Sequence, residues 1–187
     1  MSFTFTDAHL PKFLGCQVAG RLGTMGLQGL GDNSHHLFVV GNAMQLAAFA
    51  LLWARGGEPL YFLIAATLCG IALGTSWTIW PLCVSLHFPG GADALQINFG
   101  IFFLTLAFWC PVLSVCADLI LTATAPDIDG CEIVNGDDFR GPSCYSSVFL
   151  CYTMLALLAL LASVAAAALI HRKIRAERKR NAAAAKR

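Results

Sequence analysis

Three observations predict an all-α, polytopic membrane protein with four transmembrane helices. The chain is 57% apolar and only 12% charged, whereas soluble domains average about 45–50% and 25%. Four stretches are long and apolar enough to cross a hydrocarbon core of about 30 Å, and none of them contains Lys or Arg. Eight of the 12 Lys and Arg residues follow the last stretch, which is typical of the cytoplasmic end of a membrane helix.

The four predicted spans are divided by short polar or glycine-containing breaks. In chain order they cover residues 37–54, 60–86, 97–121 and 148–170. The break between the second and third spans contains Pro89, Gly90 and Gly91. Proline and glycine end helices, so this break predicts a tight reversal between two helices of one hairpin.

The basic residues orient the spans. Lys and Arg near span ends are retained in the cytoplasm, so the 171–187 tail is predicted to be cytoplasmic. Counting back through four spans places the N-terminal segment, 1–36, on the same side and the 122–147 loop outside or in a lumen. The tail itself is either a solvated anchor or a site for anionic lipid. It lacks the folded basic domain and interleaved aromatics of a nucleic-acid interface, and the sequence does not identify the membrane.

The N-terminal segment contains one ambiguous element. Residues Phe13 to Leu30 are apolar only up to Ala19 and then carry Arg21 and regularly spaced glycines. Glycine weakens a helix, so the segment is either flexible or interfacial. The alternative is the end of a truncated membrane helix.

The cysteines predict one disulfide. Of the eight cysteines, only Cys131 and Cys144 share the predicted outer loop, where oxidising conditions permit a bridge. No Cys or His pair has metal-ligand spacing, so no metal is expected. His35 and His36 lie at a span entrance, where solvated interfacial histidines are expected. No catalytic or cofactor-binding motif is present, and we predict neither an enzyme nor a cofactor.

Polar and small residues inside the spans are the candidate functional positions. On the third span, Asn98, Thr105 and Trp109 recur on one helical face. On the second, Gly70 and Gly74 precede Trp77 with similar spacing, and a glycine pair of this kind lets two helices approach closely. Both faces are consistent with helix packing and with the lining of a polar pathway.

The order of these features resembles the last third of a major facilitator superfamily transporter, in particular its nodulin-like branch. The Gly-Arg element of the eighth helix resembles "FLGCQVAGRLGTMGL", with Gly20 and Arg21 at its core. The tenth helix of that branch resembles "EPLYFLIAATLCGIALGTSWTIWPLCVSLHF", and the entry to the eleventh resembles "ADALQINFGIFF" with its Asn98-Phe99-Gly100 run.

The resemblance implies secondary transport of a small solute by two six-helix halves that rock about a central site. It implies pathway roles for Trp77, Asn98, Thr105 and Trp109, and conformational roles for Gly20, Arg21, Gly70 and Gly74. Two six-helix halves contain twelve spans and this chain has four predicted spans, so the chain is expected to be a fragment. The alternative is a self-contained four-span protein that acts by assembly or interaction. The expected partners are lipid, a solute, and partner helices or further copies of the chain.

Overall fold

The computed structural model describes residues 10–27, 34–87, 91–129, 131–134, 138–141 and 143–184. α-Helices dominate these residues. In chain order they are α1 (Leu10–Leu27), α2 (Ser34–Arg55), α3 (Pro59–His87), α4 (Gly91–Thr124) and α5 (Ser146–Ala184). Within the described ranges, four helices are long and apolar enough to cross a membrane, and the qualifying segments are His35–Arg55, Pro59–Pro81, Ala107–Asp127 and Ser146–Ala184. The all-α prediction with four candidate spans is therefore confirmed at this level.

The helix boundaries follow local chemistry. α3 begins at Pro59, a residue suited to the first position of a helix because that position needs no amide donor. α3 ends at His87 and α4 begins at Gly91, so Pro89 and Gly90 of the predicted break lie outside the described residues. α5 continues past its apolar stretch to Ala184, because the Arg, Lys, Glu and Ala residues of the basic tail are good helix formers.

The N-terminal segment is helical, so the flexible alternative for Phe13–Leu30 is wrong as far as Leu27. α1 packs along α3, and it is not among the four helices that qualify as spans. Its stability comes from this packing and not from the propensity of its glycines.

Four of the helices form a row in the order α1, α3, α2, α5. α2 packs along both α3 and α5, whereas the part of α4 that the structure describes touches α3 and α5 at few points. Small residues fill the contacts within the row, and the buried ones include Ala48, Ala65, Ala72 and Ala156. Small side chains let helix backbones approach closely in membranes, where apolar contact alone gives no preference for protein over lipid.

The described residues of the 128–145 connection include a short strand pair at one end of the bundle, hereafter the disulfide end. Two strands, β1 (Glu132–Val134) and β2 (Asp138–Arg140), pair antiparallel with Ile133 opposite Phe139. The sequence did not predict this hairpin, because strands of three residues carry too little alternation to be recognised.

The predicted Cys131–Cys144 pair is confirmed. The two residues lie at disulfide distance, with Cα atoms 4.9 Å apart. Cys144 is fully buried in an apolar cluster with Leu121 and Val148, so the bridge ties the loop to the ends of α4 and α5.

The opposite end of the bundle, where α5 enters its basic segment, is hereafter the basic end. α3 spans both ends, and its 29 residues extend roughly 43 Å at 1.5 Å per residue. This exceeds the hydrocarbon thickness of about 30 Å, so α3 is long enough to cross such a layer.

Candidate functional site

α1 and α3 cross at a close contact that is built on three of the predicted glycines. The Phe13 backbone and the Cys16 Cβ lie against Gly70, and the backbones of Gln17 and Arg21 lie against Gly74. Both pairs advance in the same direction along the chain, so the two helices run parallel. Gly20 completes the contact from α1 by lying against the backbone of Ile71.

These contacts leave no room for a side chain. A methyl group at position 70 would lie 2.9 Å from the Cys16 Cβ and 2.9 Å from the Phe13 carbonyl oxygen. At position 74 it would meet the Gln17 carbonyl, whose carbon lies 2.9 Å away. Carbon atoms in ordinary contact are about 3.5–4.0 Å apart. The glycines are therefore required for the two backbones to touch.

Only some of the α1 glycines take part. Gly20 is buried, and Thr24 on the same face donates a hydrogen bond of 2.7 Å to its carbonyl oxygen. Gly15, Gly23 and Gly26 have open space where a side chain would point. A helix turns about 100° per residue, so glycines spaced every third residue drift around it and cannot all face one neighbour.

Arg21 follows Gly20 and lies beside Gly74, with its side chain exposed. Gly74 is roughly 22 Å along α3 from Pro59 at 1.5 Å per residue, in the half of α3 nearer the basic end. A guanidinium at this level can keep its charge hydrated by extending along the helix toward the membrane surface. An ionisable residue near a close crossing is also a natural candidate for a conformational role.

The opposite side of α3 faces α2 at a looser contact. A methyl group at Gly41 of α2 would lie 3.6 Å from the Thr75 Cγ2 and 3.7 Å from the Ser76 Oγ, which are ordinary contact distances. The Ser76 hydroxyl donates a hydrogen bond of 2.9 Å to the Ala72 carbonyl oxygen within α3. This interface can therefore accommodate small changes that the α1–α3 crossing cannot.

The structure does not bring the four pathway candidates together in one described cluster. Trp77 is half-buried in α3, and Trp109 in α4 is 51% exposed. The backbones of Asn98 and Thr105 belong to α4, but their side chains lie outside the part of the chain that the structure describes. Their predicted role in a pathway thus remains a prediction.

A shallow cleft of about 360 Å³ opens at the disulfide end. It lies between the α2–α3 turn and the segments on either side of the hairpin, and its lining includes Arg55, Asp129 and Ser143. Arg55 pairs with Glu58 at 2.9 Å, and both side chains are more than half exposed. Such an exposed pair is a solvated surface feature.

Sequence reasoning missed one cluster. His35 and His36 at the start of α2 meet His171 of α5 at the basic end. His35 is buried, so the expectation that both adjacent histidines are solvated is wrong for His35, while His36 is exposed. No local spacing could have revealed the cluster, because His171 is remote in sequence and reaches the others only through the packing of α2 against α5.

Comparisons with known proteins identify no relative. No protein-family model matches the chain, and searches of curated proteins and of solved structures found no significant match.

Proposed function

We propose that this chain contributes helices to a secondary transporter of the major facilitator type, which moves a small solute about a site near the bilayer midplane. The observation that carries the proposal is the position of α4. This helix bears the predicted polar face, its described residues touch the other helices at few points, and Trp109 on that face is half exposed.

The energetic argument concerns Asn98. A side-chain amide in hydrocarbon without a hydrogen-bonding partner costs several kcal/mol. Further helices or a water-filled pathway would supply that partner. In this proposal the α4 face borders the pathway and is completed by helices beyond the five described.

The α1–α3 crossing supports the same proposal. A rocking transporter needs groups of helices that each move as a rigid body and that meet at a looser interface. Gly20, Gly70 and Gly74 join α1 to α3 by backbone contact, whereas the described residues of α4 make few contacts with the other helices. We assign the three glycines to the rigid group and Arg21 to its conformational control at the basic end.

The proposed orientation has the C-terminus and the basic end in the cytoplasm. Its support is the excess of Lys and Arg after Ile170. The bridge between Cys131 and Cys144 adds support, because disulfides persist in oxidising compartments outside the cytoplasm.

Photo-crosslinking in native membranes tests the role of the α4 face. Trp109 is replaced by p-benzoylphenylalanine, and the matched control carries the same analogue at Leu158, a 62% exposed position in α5. We expect position 109 to capture a polypeptide segment and position 158 to capture mainly lipid. Lipid adducts alone at position 109 would contradict the proposal.

Reconstitution tests transport itself. Uptake of radiolabelled amino acids, sugars and organic acids is measured in proteoliposomes that contain the monomeric chain. We expect no uptake by this chain alone. With complementing helices present, we expect uptake that Asn98→Leu impairs.

A second candidate function is assembly or interaction by a self-contained four-span protein. The compact hairpin at the disulfide end favours it, because a disulfide-closed loop outside the membrane is a suitable contact surface for another protein. Saturable uptake by a demonstrated monomer would refute the need for further helices and favour a self-contained four-span protein. A defined oligomer without uptake, counted by single-molecule photobleaching, would favour assembly.

A further inference from the structure

Three imidazole side chains converge at the basic end of the bundle. One ring nitrogen from each of His35, His36 and His171 lies within 4.8 Å of the other two. The ring centroids of His35 and His36 are 4.2 Å apart, and the His171 centroid lies 6.5 Å from the first and 6.4 Å from the second. The cluster joins the first turn of α2 to the point where α5 enters its basic segment.

The donor set indicates which ligand the cluster suits. Neutral imidazole nitrogen is a preferred ligand of Zn²⁺ and related transition-metal cations, whereas Mg²⁺ and Ca²⁺ prefer oxygen. The cluster contains three nitrogen donors and no carboxylate. Three histidine ligands with a fourth position left to water form a known type of zinc coordination.

The spacing of the three ring nitrogens is close to the spacing that a bound Zn²⁺ requires. Zn–N bonds of about 2.0–2.1 Å place tetrahedral ligand nitrogens roughly 3.4 Å apart. The observed limit of 4.8 Å thus requires the rings to close by roughly 1.4 Å or less. His36 is exposed and His171 is half-buried, so both can move by rotation of their side chains, whereas the buried His35 provides a fixed point.

Positive charge near the cluster partly opposes the binding of a cation. Arg172, Lys173 and Arg175 follow His171, and the amide dipoles at the start of α2 also point positive charge toward the cluster. The arginine and lysine side chains next to the cluster are exposed, so water and salt screen their repulsion. Direct coordination by three nitrogens contributes more to the binding free energy than this repulsion removes, because coordination is not screened by water and salt.

We propose that His35, His36 and His171 form a binding site for a transition-metal cation of the Zn²⁺ class. This departs from the expectation of no metal site, which rested on local ligand spacing. A bound ion would fasten α2 to α5 at the basic end. The proposal does not depend on transport.

Zinc titration of the full chain tests the site. The protein is purified in nanodiscs without a histidine tag, and its free thiols are alkylated with N-ethylmaleimide so that cysteine cannot bind the metal. Zn²⁺ is titrated against a chromogenic chelator. We expect one Zn²⁺ per chain, with affinity at least tenfold weaker in His36→Gln and in His171→Gln.

The matched control is Glu58→Gln, which removes a potential metal ligand from the α2–α3 turn at the disulfide end, away from the cluster. We expect this variant to bind Zn²⁺ like the unaltered chain. His36 is exposed, so its replacement should leave the fold intact, as circular dichroism would verify. An unaltered chain that binds no Zn²⁺, or an affinity unchanged in His36→Gln and His171→Gln, would overturn the proposal.

Discussion

The α1–α3 crossing yields a prediction that separates close backbone contact from helix propensity. The perturbation is Gly74→Ala, and its matched control is Gly23→Ala in α1. Both changes replace glycine by alanine within a helix. Only position 74 faces a neighbouring backbone, since a methyl group at position 23 would point into open space.

The magnitude follows from the distances. The new methyl carbon at position 74 would lie 2.9 Å from the Gln17 carbonyl carbon, so the helices must separate by roughly 0.6 Å or more to restore an ordinary contact. Overpacking of this kind costs about 1–3 kcal/mol. Both variants gain about 1 kcal/mol of helix propensity. That gain cancels in the comparison, so Gly74→Ala should be less stable than Gly23→Ala by about 1–3 kcal/mol.

Alkylation of Cys16 provides the assay. This thiol is free and half-buried at the crossing, so its reaction with a maleimide reports transient separation of α1 from α3. A difference of about 1–3 kcal/mol corresponds to a roughly 5- to 150-fold faster rate in Gly74→Ala than in Gly23→Ala. Mass spectrometry of the Cys16 peptide distinguishes it from the other cysteines.

The reasoning has a clear point of failure. If Cys16 reacts at the same rate in the two variants, α1 does not depend on close approach to Gly74. A faster reaction in Gly23→Ala would indicate that the face of α1 that contains Gly23, and not the face that contains Gly20, contacts α3.

Three further predictions concern the disulfide end and the orientation. Replacing both Cys131 and Cys144 by Ser should lower the free energy of unfolding by about 2–4 kcal/mol, and an unchanged melting temperature would show that the bridge does not stabilise the loop. In sealed, correctly oriented vesicles treated with reductant, an impermeant maleimide should label this pair and not Cys16, whereas the opposite pattern would reverse the proposed topology. Glu58→Gln should change stability by less than about 1 kcal/mol, because its ion pair with Arg55 is exposed, and a larger loss by chemical denaturation would contradict a solvated pair.

The sequence determined the features that depend on length and composition. A hydrocarbon layer requires a long, uncharged helix, so apolar run length alone predicted the four candidate spans. The sequence also predicted the Cys131–Cys144 pair, because only these two cysteines share the predicted outer loop. The ability of Gly70 and Gly74 to admit a neighbouring helix followed from their four-residue spacing.

Only the tertiary structure decided which surfaces meet. Helical periodicity fixes which residues share a face, but it does not specify the helix that the face will contact. In the structure, Gly20 lies in the crossing and Gly23 does not, and α1 packs against α3. The structure also joined His171 to His35 and His36 across α2 and α5. Such pairings depend on shape and close packing between segments distant in the chain, and local sequence patterns do not contain that information.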